Sequence, residues 1–146
     1  MSNKNTIGIK FEAFKFVSFN FVQQENIAAD EVFNFEIAAN IETDKSRIVV
    51  YVLVRVIRQS NEEEVAKAQT ATLFSVYNTE PHVSEDGAIT YPNSLLVTPV
   101  SLAISTTRGA ILTKGAGTFL ENIPLPIIDP KDFVPKVDDH IGDKKS

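Results

Sequence analysis

The segment Arg47–Arg58, RIVVYVLVRVIR, decides how the rest of the chain is read. Nine of its twelve residues are apolar, most of them Val or Ile, with one Tyr. Branching at Cβ restricts χ1 in a helix but suits a pleated surface, so this composition specifies a strand. Both alternating registers are apolar. Ile48, Val50, Val52, Val54 and Val56 share one face, and Val49, Tyr51, Leu53 and Ile57 share the other. A strand with one solvated face alternates apolar with polar residues, and this one does not. Both faces are therefore expected to be covered, by a helix of the same chain, by another subunit or by a ligand. Arg47, Arg55 and Arg58 can reach water from the strand ends.

The flanking segments supply neighbours for this strand. Upstream, Glu31–Glu42 (EVFNFEIAANIE) alternates cleanly: Phe33, Phe35, Ile37, Ala39 and Ile41 face inward, and Asn34, Glu36, Asn40 and Glu42 face outward. Thr43–Ser46 is a short polar turn, so the two strands form an antiparallel hairpin. Downstream, the polar turn Gln59–Glu64 leads to a strand over Val65–Tyr77 that is rich in small residues. The three Glu of that turn read as a solvated loop rather than a cation site. Ile7–Val22 is a long first strand, followed by a polar linker at Gln23–Asp30. Because sequence neighbours usually pair, the four strands are expected to form an antiparallel meander. In the first strand Ile7, Ile9, Phe11, Val17, Phe19 and Phe21 share one parity, whereas Phe14 and Phe16 take the other. Either a β-bulge between Ala13 and Val17 restores a single aromatic face, or the strand carries aromatics on both faces.

The remaining chain changes character. Asn78–Ala88 is a polar loop with a turn at Asp86-Gly87, and its acids and single His lack the fixed spacing of a metal site. Tyr91-Pro92-Asn93-Ser94 looks like a helix entry with Asn93 or Ser94 as N-cap. Leu96, Val100, Ala103/Ile104, Thr107 and Ile111 then recur at helical spacing, with Gly115 and Gly117 as stops. Pro99 and Gly109 oppose a helix, and the β-branched content also permits a hairpin turning at Arg108-Gly109. Thr118–Pro130 (TFLENIPLPIIDP) sets apolar residues between prolines. It is expected to be extended, and to cross the sheet or line a groove. Lys131–Phe133 can form a brief last turn, and residues 134–146 read as a charged, disordered tail.

Composition narrows the function. With 146 residues and a net charge of −5, the chain is one domain's worth and offers no basic face for nucleic acid. It has no Cys, which removes disulfides, thiolate metal sites and a Cys nucleophile. There is no Gly-rich phosphate loop and no G-x-S-x-G motif, so an enzyme is not expected, nor is a cofactor. No N-terminal apolar h-region and no run of eighteen apolar residues is present, so a soluble cytoplasmic protein is expected.

The order of parts resembles the SecB-like protein-export chaperones. The likeness is carried by Ser105–Leu112 (STTRGAIL), by Ile123–Pro130 (IPLPIIDP) and by the aromatic first strand, and it spans about residues 7–133. It implies an α+β fold: a four-stranded antiparallel meander sheet, then one long helix packed on it, then a proline-rich crossover loop, in a single domain over residues 1–133. It also implies an ATP-independent holdase that binds unfolded polypeptides, assembled as a homotetramer from a dimer of dimers. The matching client-groove positions are Phe33, Phe35, Phe119, Leu120, Ile123, Leu125, Ile127 and Ile128. The matching oligomer-interface positions are Phe14, Phe16, Leu102, Ile104 and Ile111. Two departures stand out. The family's long C-terminal helix is largely replaced by Pro135 and a polar tail, and its Cys-rich zinc tail is missing, so docking to a translocation motor is not implied. A non-chaperone interaction module, or a chaperone dedicated to a toxin–antitoxin pair, would use the same exposed aromatics on one fixed partner.

Overall fold

In the computed structural model, residues 8–77, 82–83, 85–87, 89–123 and 129–133 are described. The strands are β1 (Gly8–Phe21), β2 (Phe33–Thr43), β3 (Arg47–Arg58) and β4 (Glu63–Tyr77). They form one antiparallel sheet, and the helix α1 (Asn93–Lys114) follows them in the chain. The fold class is thus α+β, as expected. Between sheet and helix lies a small ribbon, β5 (His82–Val83) with β6 (Ile89–Thr90), around a turn in which Gly87 takes φ 90°. Short 3-10 turns occupy Phe119–Asn122 and Pro130–Phe133.

Strands β2, β3 and β4 run as consecutive hairpins, but the spatial order is β1-β4-β3-β2. The first strand pairs with the last one, not with β2 as sequence proximity suggests. Residues 22–32 must therefore carry the chain from one sheet edge to the other, a width of about 14 Å for three strand spacings. Eleven extended residues reach roughly 36 Å, so the connection has slack to spare.

The register of β1 resolves its aromatic puzzle. Pairing with β4 slips between Phe11 and Ala13 and again between Phe16 and Ser18. Of the two alternatives, a bulge or aromatics on both faces, the strand uses the first, with two bulges, at Glu12 and Val17, in place of a single one between Ala13 and Val17. Each shifts the parity once. As a result Ile9, Phe11, Phe14, Phe16, Phe19 and Phe21 all stand opposite the even residues of β4, on the helix side.

Helix α1 covers that side. Its buried row is Leu96, Pro99, Val100, Ala103, Ile104, Thr107 and Ile111, which contains the whole periodic set seen in the sequence. Beneath it Ile48, Val50 and Val52 are fully buried. The helix runs unbroken through Pro99 and Gly109, so no hairpin forms at Arg108-Gly109. A Cβ at Gly109 would meet nothing, because the position faces away from the sheet. Pro92, rather than Asn93 or Ser94, occupies the N-terminal capping position. The entry is held instead by Tyr91, whose buried hydroxyl donates to the Asp44 and Lys45 carbonyls at 2.8 Å in the β2–β3 turn.

Among the described residues, only one face of β3 is covered, by α1. Val49, Tyr51, Leu53 and Ile57, on the other face, remain half-buried.

Three buried threonines make the sheet–helix contact sensitive to polar bookkeeping. Thr107 donates to the Ala103 carbonyl at 2.7 Å, so its oxygen accepts the Thr70 hydroxyl at 2.8 Å. The equally buried Thr72 hydroxyl has no partner. Thr107→Val is expected to destabilise by about 1–3 kcal/mol, because it strands the Thr70 hydroxyl. Thr72→Val removes an unsatisfied group at constant shape and is expected to be neutral or to stabilise by about 1 kcal/mol. Urea unfolding of the two variants checks the opposite signs.

Candidate functional site

The site is built where the 22–32 connection meets the turn after α1. Helix α1 ends at Gly115, whose N–H donates to the Ile111 carbonyl at 2.8 Å. A Cβ on Gly115 would lie 2.8 Å from Leu120 Cβ and 3.0 Å from the Ile111 carbonyl oxygen, so glycine lets the following turn fold back onto the helix. Thr118 shapes that turn: its hydroxyl donates to the Gly115 carbonyl at 2.7 Å and accepts the Leu120 N–H at 3.1 Å. The Glu121 carboxylate accepts the Gly117 N–H at 2.7 Å.

The connection is pinned at both ends by side chains. The Gln23 side chain accepts the Phe119 N–H at 3.1 Å, tying the connection to the turn. The Gln24 side chain accepts from the Arg58 guanidinium at 2.8 Å and donates to the Val22 carbonyl at 2.9 Å. Glu31 lies 3.1 Å from the Arg58 guanidinium and accepts from the Ser60 N–H and hydroxyl at 3.3 and 3.1 Å. Between these anchors Asn26 takes φ 56°, a left-handed turn that Asn tolerates.

This strap, Phe33 and residues 117–119 and 121–123 line an open cavity of about 770 Å³. Its lining mixes apolar Ile27, Ala28, Ala29, Phe33, Phe119 and Ile123 with polar Gln23, Gln24, Glu31, Glu121 and Asn122 among others. The Phe119 ring lies 6.0 Å from Phe33 and 6.3 Å from Phe21 between centroids. Contacts then continue along β1 through Phe19 and Phe16 to Phe14 at 5.4–5.9 Å. A continuous aromatic track thus leads from the cavity to a second groove of about 400 Å³ beside α1, lined by Phe14, Phe16, Thr106, Gly109 and Ala110 among others. The Lys114 ammonium lies 5.6 Å from the Phe16 ring centroid, within cation–π range.

Strand β2 adds a backbone feature. Val32 accepts from the Gln59 N–H, and Asp44 donates to the Arg47 carbonyl. By antiparallel alternation the even residues of β2 bond to β3, and the backbone groups of Phe33, Phe35, Ile37, Ala39 and Ile41 point to the outer edge. Among the described residues no backbone bond occupies that edge.

Two carboxylates are tuned by their partners. Burial raises the pKa of Glu31, but hydrogen bonds from Arg58 and Ser60 and the Arg58 charge outweigh it and hold it below the ordinary 4.5. Asp44 is held below 3.8, first by the Ser46 N–H and, despite some burial, by the Arg47 charge. Both bind a proton less readily folded than unfolded. Their stabilisation is therefore complete above the ordinary carboxylate range and is lost as pH falls through and below it. The urea midpoint is expected to drop between pH 6 and pH 3, with a smaller drop in Glu31→Gln, because the strap's anchor no longer titrates.

The expected client positions separate in three dimensions. Phe33 and Ile123 are half-buried and line the cavity, while Phe119 is its buried back wall. Phe35 is half-buried two residues along the same edge strand. Leu120 is 2% exposed and packs under Gly115, so it supports the site from below rather than offering surface. Leu125, Ile127 and Ile128 lie outside the described residues. Of the expected interface positions, Phe14 and Phe16 are half-buried along the second groove. Leu102 points outward at 42% exposure. Ile104 and Ile111 face the sheet and belong to the subunit core, so they can only underlie an interface. The helix is long and apolar enough, by length and composition, to cross a membrane, yet its buried row lies on the sheet. Gln23, Gln24, Ile27 and Glu31 were missed as site residues, since nothing in a polar linker reveals what it will be pinned to. The lone Ile27 was the one usable signal. Among the described residues no group of His, Cys, Asp and Glu could hold a metal.

A four-stranded antiparallel sheet followed by one long helix on a single face matches a SecB-like fold. The chain is similar to a SecB-like chaperone of Mycobacterium tuberculosis, solved in complex with a ChAD peptide from an antitoxin, at a TM-score of 0.53 and 15% sequence identity. The likeness covers 83% of this chain and 86% of that one, and at this identity it speaks for the fold. No protein-family model matches the sequence, and no curated protein matches it.

Proposed function

We propose that this protein is an ATP-independent holdase that binds extended, non-native polypeptide segments in the strap cavity and along the β2 edge. The observation that carries this reading is the junction of the two features at Phe33. Its side chain lines the 770 Å³ cavity while its backbone opens the outward edge. An extended client can add as a strand by backbone bonds, which are indifferent to sequence, and place an aromatic or aliphatic anchor in the cavity. Apolar burial is likewise non-directional, which suits varied clients. The acidic net charge of −5 keeps such a surface in solution. In this reading the protein is cytoplasmic, does not span a membrane, and needs neither cofactor nor nucleic acid. It assembles as a dimer of dimers through the β1–α1 groove and the outward Leu102 side of α1. Export clients are one source of unfolded chains.

A second reading is a chaperone or interaction module dedicated to one partner. It is favoured by the neighbour of similar fold, which binds a peptide from an antitoxin. One assay separates the two. A chemically unfolded, unrelated protein is diluted into buffer without ATP and its aggregation followed by light scattering. Suppression near stoichiometric amounts is the result expected of a general holdase. No suppression at several-fold excess would exclude general holding and leave the dedicated role.

A further inference from the structure

The two edges of the sheet are unlike. On β1 two bulges break the register against β4, so an added strand would meet a bent and interrupted row of backbone groups. On β2 the register against β3 runs through all eleven residues, Phe33–Thr43, without a shift. Its outward backbone groups, on Phe33, Phe35, Ile37, Ala39 and Ile41, therefore form a straight template with one N–H and one C=O at every second residue. The side chains of the same five residues stand on the helix side and are half-buried. Asn34, Glu36, Ala38, Asn40 and Glu42, between them, are exposed on the other side. The apolar side runs on into the cavity through the Phe33–Phe119 ring contact at 6.0 Å. Among the described residues no strand pairs with this edge.

We infer, on the reading that clients add to β2, that this edge selects them by the order of their residues and not by composition alone: it takes segments in which apolar residues alternate with polar ones. A fifth strand lies about 4.8 Å beyond β2, and its side chains point alternately to the two faces of the sheet. Those on the helix side come opposite Phe33, Phe35, Ile37, Ala39 and Ile41, within contact range across the strands. Those on the other side come opposite the exposed polar row and stay in water. Ala39, small between Ile37 and Ile41, leaves room for a large client side chain on the apolar side. An alternating segment therefore buries every apolar residue and solvates every polar one. A segment with helical spacing, laid out as a strand, leaves about half of its apolar residues in water and sets polar ones against Phe35 and Ile37. The sorting holds for either strand direction, because reversal preserves alternation.

The test compares two fluorescently labelled peptides of identical composition, each eleven residues long to match β2. One alternates Ile, Phe and Leu with Thr, Gln and Lys. The other carries the same residues re-ordered, so that the apolar ones recur at i, i+3, i+4 and i+7. Fluorescence anisotropy without nucleotide, at concentrations where both peptides are monomeric, is expected to show at least tenfold tighter binding of the alternating peptide. A variant supplies a second readout. Ala39→Pro removes an N–H that β3 does not use, because the odd residues of β2 bond outward. It is expected to keep a native circular dichroism spectrum and to lose most of the tenfold preference. Equal affinities for the two peptides, or binding of neither, in a protein that still suppresses aggregation of an unrelated protein would overturn the inference and leave the holdase reading standing. So would an undiminished preference in natively folded Ala39→Pro. Binding of neither peptide together with unchecked aggregation would overturn both.

Discussion

Phe33→Asp is expected to lower affinity for a permanently unfolded polypeptide at least tenfold, with the fold intact. Phe33 opens β2 at the cavity mouth, where its ring meets Phe119 at 6.0 Å and remains half-exposed. Aromatic anchors in such positions commonly contribute 2 kcal/mol or more to binding, which is about thirtyfold. The Asp adds a charge that an incoming apolar side chain must desolvate. Folding suffers less, because a half-exposed ring at a strand end has less buried area to lose, about 1–2 kcal/mol. Fluorescence anisotropy with a labelled, permanently unfolded client measures the loss, and circular dichroism verifies the fold. Leu53→Asp, on the opposite sheet face, is the matched control and is expected to leave client affinity within about twofold. Equal affinity of wild type and Phe33→Asp would remove the cavity mouth from the binding surface.

Phe119→Ala is expected to produce the largest loss of stability among the site residues, about 3–5 kcal/mol. The ring is 6% exposed and joins three elements: β1 through Phe21, β2 through Phe33, and the turn after α1. Its backbone N–H stays tied to Gln23, so the strap keeps one anchor while the wall behind it empties. A void of that size collapses only partly, which is why the cost exceeds simple transfer of a ring to water. The change is read as a lower urea midpoint at unaltered slope. Because the cavity loses its back wall, client affinity should fall together with stability. That distinguishes this variant from Phe33→Asp, where affinity falls and stability largely persists.

These two residues also illustrate what could be read from the sequence. Phe33 belongs to the cleanest alternation in the chain, and pattern alone placed it correctly. Phe119 entered through the resemblance, and its role as a wall depends on Gly115 and Thr118 folding the turn back, contacts between residues whose partners could not be foreseen. Segment β3 was legible to the residue, because a doubly apolar run has no other stable use. The pairing of β1 was not, since sequence proximity favours β2 and nothing local states that an eleven-residue connection crosses the sheet. The bulges at Glu12 and Val17 were half-legible: the parity switch at Phe14 allowed one bulge or a strand with aromatics on both faces, and only the register against β4 shows that two bulges are used. The strap was the main omission. Gln24, Glu31 and Arg58 are each ordinary surface residues until topology brings them together.

The claim at the centre is that unfolded polypeptide enters the cavity between the strap and the 119–122 turn. The most direct measurement is photo-crosslinking with benzoylphenylalanine placed singly at Ile27 or Ile123, in the cavity, and at Val49, on the opposite face, with a permanently unfolded client and no nucleotide. Strong crosslinks from positions 27 and 123 and background from position 49 are the expected result. Background from both cavity positions, or equal labelling from position 49, would contradict it.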